Sequence, residues 1–161
     1  MNSTLTIKKV SKKDLPSIFR LEEEAFAPMH YPLFVLRQLF DIAPDLFLVA
    51  VDALDQIKGY CFGTIDQDHQ TGWIFALAVV KEEQRKKIGA QLTSRLLDVF
   101  SSKKINNIQL TTTPDNEAAI QLYEKLGFEK VDEEADYYFD GTPRIIMKLN
   151  MDDPRKNTHS T

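Results

Sequence analysis

The chain has 161 residues, 43% of them hydrophobic and 27% charged, with a formal net charge of −4, which suits one domain burying roughly 70% of the surface its unfolded form exposes. The acidic balance excludes a global positive field that would draw it to nucleic acid or an anionic membrane, and a single cysteine, Cys61, excludes an internal disulfide framework. There is no run of the roughly 18 apolar residues a membrane helix needs, and MNSTLTIKKV lacks the layout of a secretion signal, so a cytoplasmic chain is expected.

In chain order, TLTIKKV (4–10) alternates as a short strand. SKKDLPSIFRLEEEAF then places Leu15, Ile18, Phe19, Glu22 and Phe26 near helical spacing; Pro16 belongs in the first turn, which makes Asp14 a better N-cap than Ser11. APMHYPLFVLRQLF is punctuated by proline and runs into a second helix from about Leu33. LFLVAV (46–51), IKGYCFGTI (57–65) and WIFALAVV (73–80) read as three strands of an antiparallel meander, joined by short polar connections. Ile88, Leu92, Leu96, Val99 and Phe100 mark the apolar stripe of a third helix. NIQLTT (107–112) is a strand, and NEAAIQLYEKL (116–126) is a helix closed by Gly127 as a left-handed C′ residue. FEKVDEEADYYF and PRIIMKLNM read as a final strand pair turning at Asp140-Gly141. Residues 152–161 carry no large apolar side chain and are expected to be a mobile tail. The order β-α-α-β-β-β-α-β-α-β-β predicts an α/β fold with a mixed sheet in one domain, residues 1–151.

The stretch EEQRKKIGAQL sits where a strand gives way to the third helix. A helix N-terminus offers N–H groups with no partner inside the helix and a positive partial charge, which together stabilise an anion. Small residues such as Gly89 and Ala90 let the backbone approach phosphate oxygens, and Arg85, Lys86 and Lys87 add charge. By itself this stretch reads either as a solvated basic loop or as a phosphate seat. No GxG occurs among the six glycines, so the dinucleotide fingerprint is absent, as is the GxxxxGK[ST] phosphate loop.

LAVVKEEQRKKIGAQL, followed by NEAAIQLYEKLGF, resembles the GNAT superfamily of acetyl-CoA-dependent N-acetyltransferases. The resemblance implies the GNAT fold, a mixed and mostly antiparallel sheet of about seven strands flanked by four helices. It implies direct transfer of acetyl from acetyl-CoA to a primary amine with no metal. In that family an apolar-Ala-Val strand leads through Q/R-x-x-G-x-G/A into a helix that holds the coenzyme's pyrophosphate. Carried over, this assigns Gln84, Arg85, Lys86, Lys87, Ile88, Gly89 and Ala90 to the pyrophosphate, and Leu77, Ala78 and Val79 to the acetyl and pantetheine through backbone N–H groups. Lys87 stands where the family's first glycine is expected. It keeps the loop functional only if its backbone needs no positive φ.

The same match assigns Asn116 to the pantetheine arm and makes Tyr123 the general acid for the leaving thiolate; a core tyrosine is the plain alternative for a residue on the stripe with Ala119, Leu122 and Leu126. In the RimI-type ribosomal-protein alanine acetyltransferase branch a glutamate base stands at the position of Thr111, so the base here is open. A site without a strong carboxylate suits an α-amine, with pKa ~7.8 and roughly a fifth neutral near physiological pH, better than a lysine at ~10.4. The final hairpin resembles that of protein N-terminal acetyltransferases, in which paired tyrosines line the peptide entry. Tyr137 and Tyr138 are therefore candidates for the acceptor wall or for cross-strand packing, and FAPMHYPLF, with His30 and Tyr31, for the opposite wall or a hinge. A protein N-terminus is the favoured acceptor. A small-molecule amine (a polyamine, an amino acid or an antibiotic) and a non-catalytic acyl-CoA sensor are the rivals. No nucleic-acid or membrane partner is expected, the assembly is a monomer or homodimer, and Cys61 is read as packing.

Overall fold

Pro16 lacks an N–H and its fixed φ suits a first helical turn, and it is the second residue of α1 (Leu15–Phe26). Asp14 is the N-cap, but its carboxylate makes no bond to the amides of α1. Instead its Oδ2 accepts from the N–H and Oγ of Ser11, each at 2.8 Å, closing the 3₁₀ turn Lys12–Asp14 that precedes the helix. The computed structural model describes residues 4–84 and 87–159, with side chains to 156.

The other elements are β1 (Thr6–Lys9), α2 (Leu33–Ile42), β2 (Phe47–Val51), β3 (Ile57–Asp66), β4 (Thr71–Val79), α3 (Ile88–Ser102), β5 (Asn107–Thr112), α4 (Glu117–Lys125), β6 (Glu129–Glu134) and β7 (Arg144–Asn150). Seven strands form one sheet in the order β1-β2-β3-β4-β5-β7-β6. β1/β2, β2/β3, β5/β7 and β6/β7 pair antiparallel, while β4/β5 is parallel. This is the expected mixed, mostly antiparallel sheet with four α-helices.

By contacts the chain divides into two compact units. The first comprises Met1–Thr64 and Ala76–Val99, the second Ile65–Phe75 and Phe100–Thr161. In the first, all five residues of β2 are buried, and Phe47, Tyr60 and Phe62 form an aromatic cluster with ring centroids 5.1–6.4 Å apart. Leu15, Ile18 and Leu21 of α1 and Leu36 of α2 belong to the same core, each such side chain contributing about 1.5–3 kcal/mol by leaving water. A Cβ on Gly59 would lie 3.0 Å from the Ala78 carbonyl oxygen and 3.1 Å from Leu92 Cδ1. The missing side chain lets α3 and the end of β4 sit this close to β3.

In the second unit Ile108, Leu110, Ile145, Met147 and Leu149 are buried together with Phe100, Ile105 and Phe128. β6 is exposed along its whole length; its run of acids and a lysine is what keeps an edge strand from pairing with another chain. Gly127 stands at φ +100°, a left-handed residue just past the C-cap of α4, as its position after the last apolar residue predicts.

The two-residue turn predicted at Asp140-Gly141 does not form. β6 ends at Glu134 and β7 begins at Arg144, and the connection is held by its own acids: the Asp136 Oδ1 accepts from Gly141 N–H at 2.6 Å and the Asp140 Oδ1 from Thr142 N–H at 2.9 Å. The Asx bonds of the loop outcompete a tight turn. At the C-terminus, the segment expected to be a mobile tail carries a 3₁₀ helix over Pro154–His159. Within it, Lys156 Nζ reaches Glu129 Oε1 at 2.9 Å.

Candidate functional site

Within the first unit the strand-to-helix passage is tightly organised. The parallel ladder of β4 covers Thr71–Ile74, and the backbone from Phe75 to Val79 lies outside it. Ala78 is buried, whereas Leu77 and Val79 are half-buried. The Val80 N–H donates to Lys58 O at 2.9 Å, which anchors the end of β4. Gln84 Nε2 donates to the Val79 carbonyl at 3.3 Å, so its side chain clamps the loop onto the strand it leaves. Arg85 and Lys86 lie outside the described residues.

Lys87 has φ 61°. The condition that its backbone needs no positive φ is therefore not met: the lysine adopts the left-handed conformation that a glycine takes at no steric cost. Its carbonyl accepts from Gln91 N–H at 3.1 Å, which begins the helical ladder. Ile88, Gly89 and Ala90 form the first turn of α3, whose amides have no acceptor inside the helix. Gly89 is buried, and its carbonyl accepts from the buried Thr93 Oγ1 at 2.8 Å. Lys87 and Ala90 also line an open groove of about 510 Å³, together with Ser94, Arg95, Leu5 and Ile7. A bare backbone at Gly89, first-turn amides and an exposed lysine suit a phosphate, and the residues fit the pyrophosphate of coenzyme A.

The α1–α2 connection of the same unit carries a feature that sequence reasoning missed. Glu22 is 1% exposed; its Oε1 accepts from Tyr31 N–H at 3.0 Å, while Oε2 has no partner among the described residues. Burial pushes this carboxyl up to about 7, and the Tyr31 N–H opposes that rise. His30 Nδ1 is likewise buried without a partner, and its ring stands 5.7 Å from that of Phe19. The Tyr31 ring packs edge-on against Phe62 at 5.3 Å. The signal for Glu22 was present, because an acid at helical spacing from Ile18 and Phe19 falls on the apolar face.

In the second unit Asn116 is the N-cap of α4, and its Oδ1 accepts from Ala119 N–H at 3.2 Å. That leaves its NH₂ group to donate elsewhere. Tyr123 is 7% exposed, with its ring edge-on to Phe128 at 5.5 Å. Tyr137 and Tyr138 lie in the β6–β7 connection and not in a strand, so the alternation that would send them to opposite faces does not apply. Their rings meet at 4.9 Å, nearly perpendicular. Arg144, a second residue missed in the sequence, organises this end. Its Nε donates to Thr111 Oγ1 at 3.1 Å and its Nη2 to Thr111 O at 2.9 Å, and its Cζ stands 5.3 Å from the centre of the Tyr138 ring.

Cys61 is fully buried, its thiol directed to Leu92 O at 3.7 Å, and burial pushes the thiol far up; it packs and does not react. Among the described residues no group of three His, Cys, Asp or Glu side chains gathers as a metal site, and no helix is long and apolar enough to cross a membrane.

Comparison with known proteins adds the following. The chain is 35% identical over 125 residues to N-alpha-acetyltransferase 30 of Schizosaccharomyces pombe, an alignment covering 74% of this chain and 83% of that one. It is 28% identical over 134 residues to the ribosomal protein bS18-alanine N-acetyltransferase of Salmonella typhimurium, covering 83% and 86%. Its fold superposes on a chain of the NatC complex crystallised with Gag peptide and CoA, with a TM-score of 0.83 at 24% identity, covering 91% of this chain and 98% of that one. The profile of the acetyltransferase (GNAT) family matches residues 15–128, and with the two relatives it places this chain in that family: it is an N-acetyltransferase of the GNAT type.

Proposed function

We propose that the protein moves acetyl from acetyl-CoA to the α-amine of a protein N-terminus. The observation that carries this reading is at Thr111. Where the RimI-type branch has a carboxylate base, this chain has a hydroxyl held by the Arg144 guanidinium. A threonine hydroxyl that already accepts from a guanidinium is no base for an ammonium, so nothing at that position would strip a proton from a lysine. An α-amine, already about a fifth neutral near physiological pH, needs little such help. The relatives in S. pombe and Salmonella, by name an N-alpha-acetyltransferase and a ribosomal-protein alanine acetyltransferase, support the same acceptor.

Acetyl-CoA supplies an activated acyl group as a thioester. The first turn of α3 and Lys87 would hold its pyrophosphate and the Leu77–Val79 backbone its acetyl and pantetheine, while the family resemblance assigns the Asn116 amide group to the pantetheine arm. Attack of the neutral amine would form the C–N bond as the C–S bond breaks. The Tyr123 hydroxyl would give its proton to the departing sulfur and regain one released by the amine nitrogen. The family resemblance assigns Tyr137 and Tyr138, and separately His30 and Tyr31, to the acceptor. No side chain forms a covalent intermediate.

The test is a competition with labelled acetyl-CoA among free N-terminal peptides, N-terminally blocked peptides carrying lysine, and polyamines. Label on the free N-termini is expected. Label confined to blocked lysine peptides or to polyamines would refute the reading.

A further inference from the structure

Arg144 is held more firmly than a surface cation. It is half-buried, two of the five guanidinium N–H groups are committed to Thr111, and the plane is braced by the Tyr138 ring. The remaining N–H groups have no acceptor among the described residues, and the arginine joins no ion pair there. A partly desolvated cation without a counter-ion is costly and invites one. The nearby acids of the hairpin do not serve. Glu134, its cross-strand partner, makes no ion pair with it. Glu133 Oε2 pairs with Lys130 Nζ at 2.8 Å, and Asp132 and Asp136, whose Oδ1 atoms accept from the Glu133 and Gly141 N–H groups, make no ion pair with Arg144.

We propose that Arg144 is a specificity-determining residue, whose free guanidinium edge pairs with a carboxylate carried by the acceptor close to its reacting amine. This deepens the reading above and rests on it for the place of the acceptor. A braced planar fork is the side chain best matched to a carboxylate, and little further ordering is needed when it binds. An acidic residue next to the acetylated one is the natural source in a peptide. A polycation, by contrast, would meet an unneutralised positive charge.

The experiment compares pairs of acceptors that differ only in charge: peptides with Asp or Asn at the second position, and free aspartate beside its diamide. kcat/KM is measured for the full chain and for Arg144→Gln and Arg144→Lys, with thermal melts to confirm folding. The wild type is expected to prefer the acidic member about tenfold or more, the range of a hydrogen bond to a charged group. Arg144→Gln should bring the ratio to near unity, mostly through KM, and Arg144→Lys should fall between. A wild type indifferent to the charge, a ratio that survives in Arg144→Gln, or an equal loss on both members would overturn the proposal, the last by showing a purely structural arginine. Preference for free aspartate with no peptide acetylated would sink the N-terminal reading and leave the selection by Arg144 standing. A wild type that acetylates no member would overturn both.

Discussion

Replacing Lys87 by glycine should stabilise the protein while weakening its hold on coenzyme A. Lys87 stands at φ 61°, where an L-residue incurs about 1–2 kcal/mol from the approach of Cβ to the carbonyl oxygen. Glycine removes that clash but gives back about 0.5–1 kcal/mol through the greater freedom of the unfolded chain. The balance is a gain of about 0.5–1 kcal/mol, or roughly 1–4 °C in Tm for a chain of this size. Urea unfolding measures it as a shift in midpoint at constant m.

Lys87→Ala is the informative partner, because it removes the ammonium and keeps the left-handed backbone. The side chain is exposed, so the alanine variant should unfold close to wild type. Both variants should bind coenzyme A several-fold more weakly, by an amount that shrinks as salt rises, if the ammonium meets a phosphate. A glycine variant no more stable than the alanine variant would refute the strain. Unchanged affinity in both would refute the charge contact.

Gly89→Val should abolish coenzyme binding, since a branched side chain at a buried position of the first turn displaces the backbone from the phosphate; isothermal titration with retained affinity would count against the seat. Tyr123→Phe keeps the ring packed on Phe128 and should lower kcat about 100-fold or more, within the span of general acid catalysis, with little change in coenzyme affinity; equal turnover would discard the acid role. Glu22→Gln should leave the protein nearly unaffected near pH 4 and stabilise it near pH 8. The folded carboxyl, raised from 4.5 to about 7, holds its proton more tightly than the unfolded one, so wild-type stability declines as pH rises across that window and levels above it. The difference is on the order of 2–3 kcal/mol; urea midpoints that run parallel in both proteins would contradict it.

The elements were legible because their signals are local. The apolar stripe of α3, the alternation of β5 and Gly127 after α4 each depend on spacing within a few residues. The strand-to-helix passage into α3 was legible for the same reason, being a loop and one helical turn. What escaped depends on residues far apart. Arg144 and Thr111 meet only because β5 and β7 pair, with Thr112 opposite Ile145, and nothing in PRIIMKLNM marks its arginine. The β6–β7 connection was misjudged because Asp-Gly is a strong turn signal, yet Asp136 draws Gly141 into a longer loop. Lys87 shows the limit of residue identity as a guide to backbone: the surrounding loop imposes the left-handed turn on a residue that does not favour it.

The two departures from the family pattern act differently. At Lys87 the left-handed backbone that a glycine would supply is retained, at an energetic cost. At Thr111 the chemistry itself changes, because a hydroxyl gripped by a guanidinium cannot take a proton from an ammonium. If no side chain replaces that base, the reactive acceptor is the amine that has already lost its proton. Then kcat/KM for a peptide should climb with pH and level near the amine's own pKa, about 7.8. Lowering that pKa with an electron-withdrawing N-terminal residue should move the midpoint down by the same amount. Glu22, raised to about 7 by burial, is the one described carboxyl that could mimic such behaviour. The profile of Glu22→Gln separates the two. A midpoint that follows the amine in both proteins supports an acceptor that deprotonates in solution, whereas one fixed near 7 in the wild type and lost in the variant would make Glu22 the base and end the argument from Thr111.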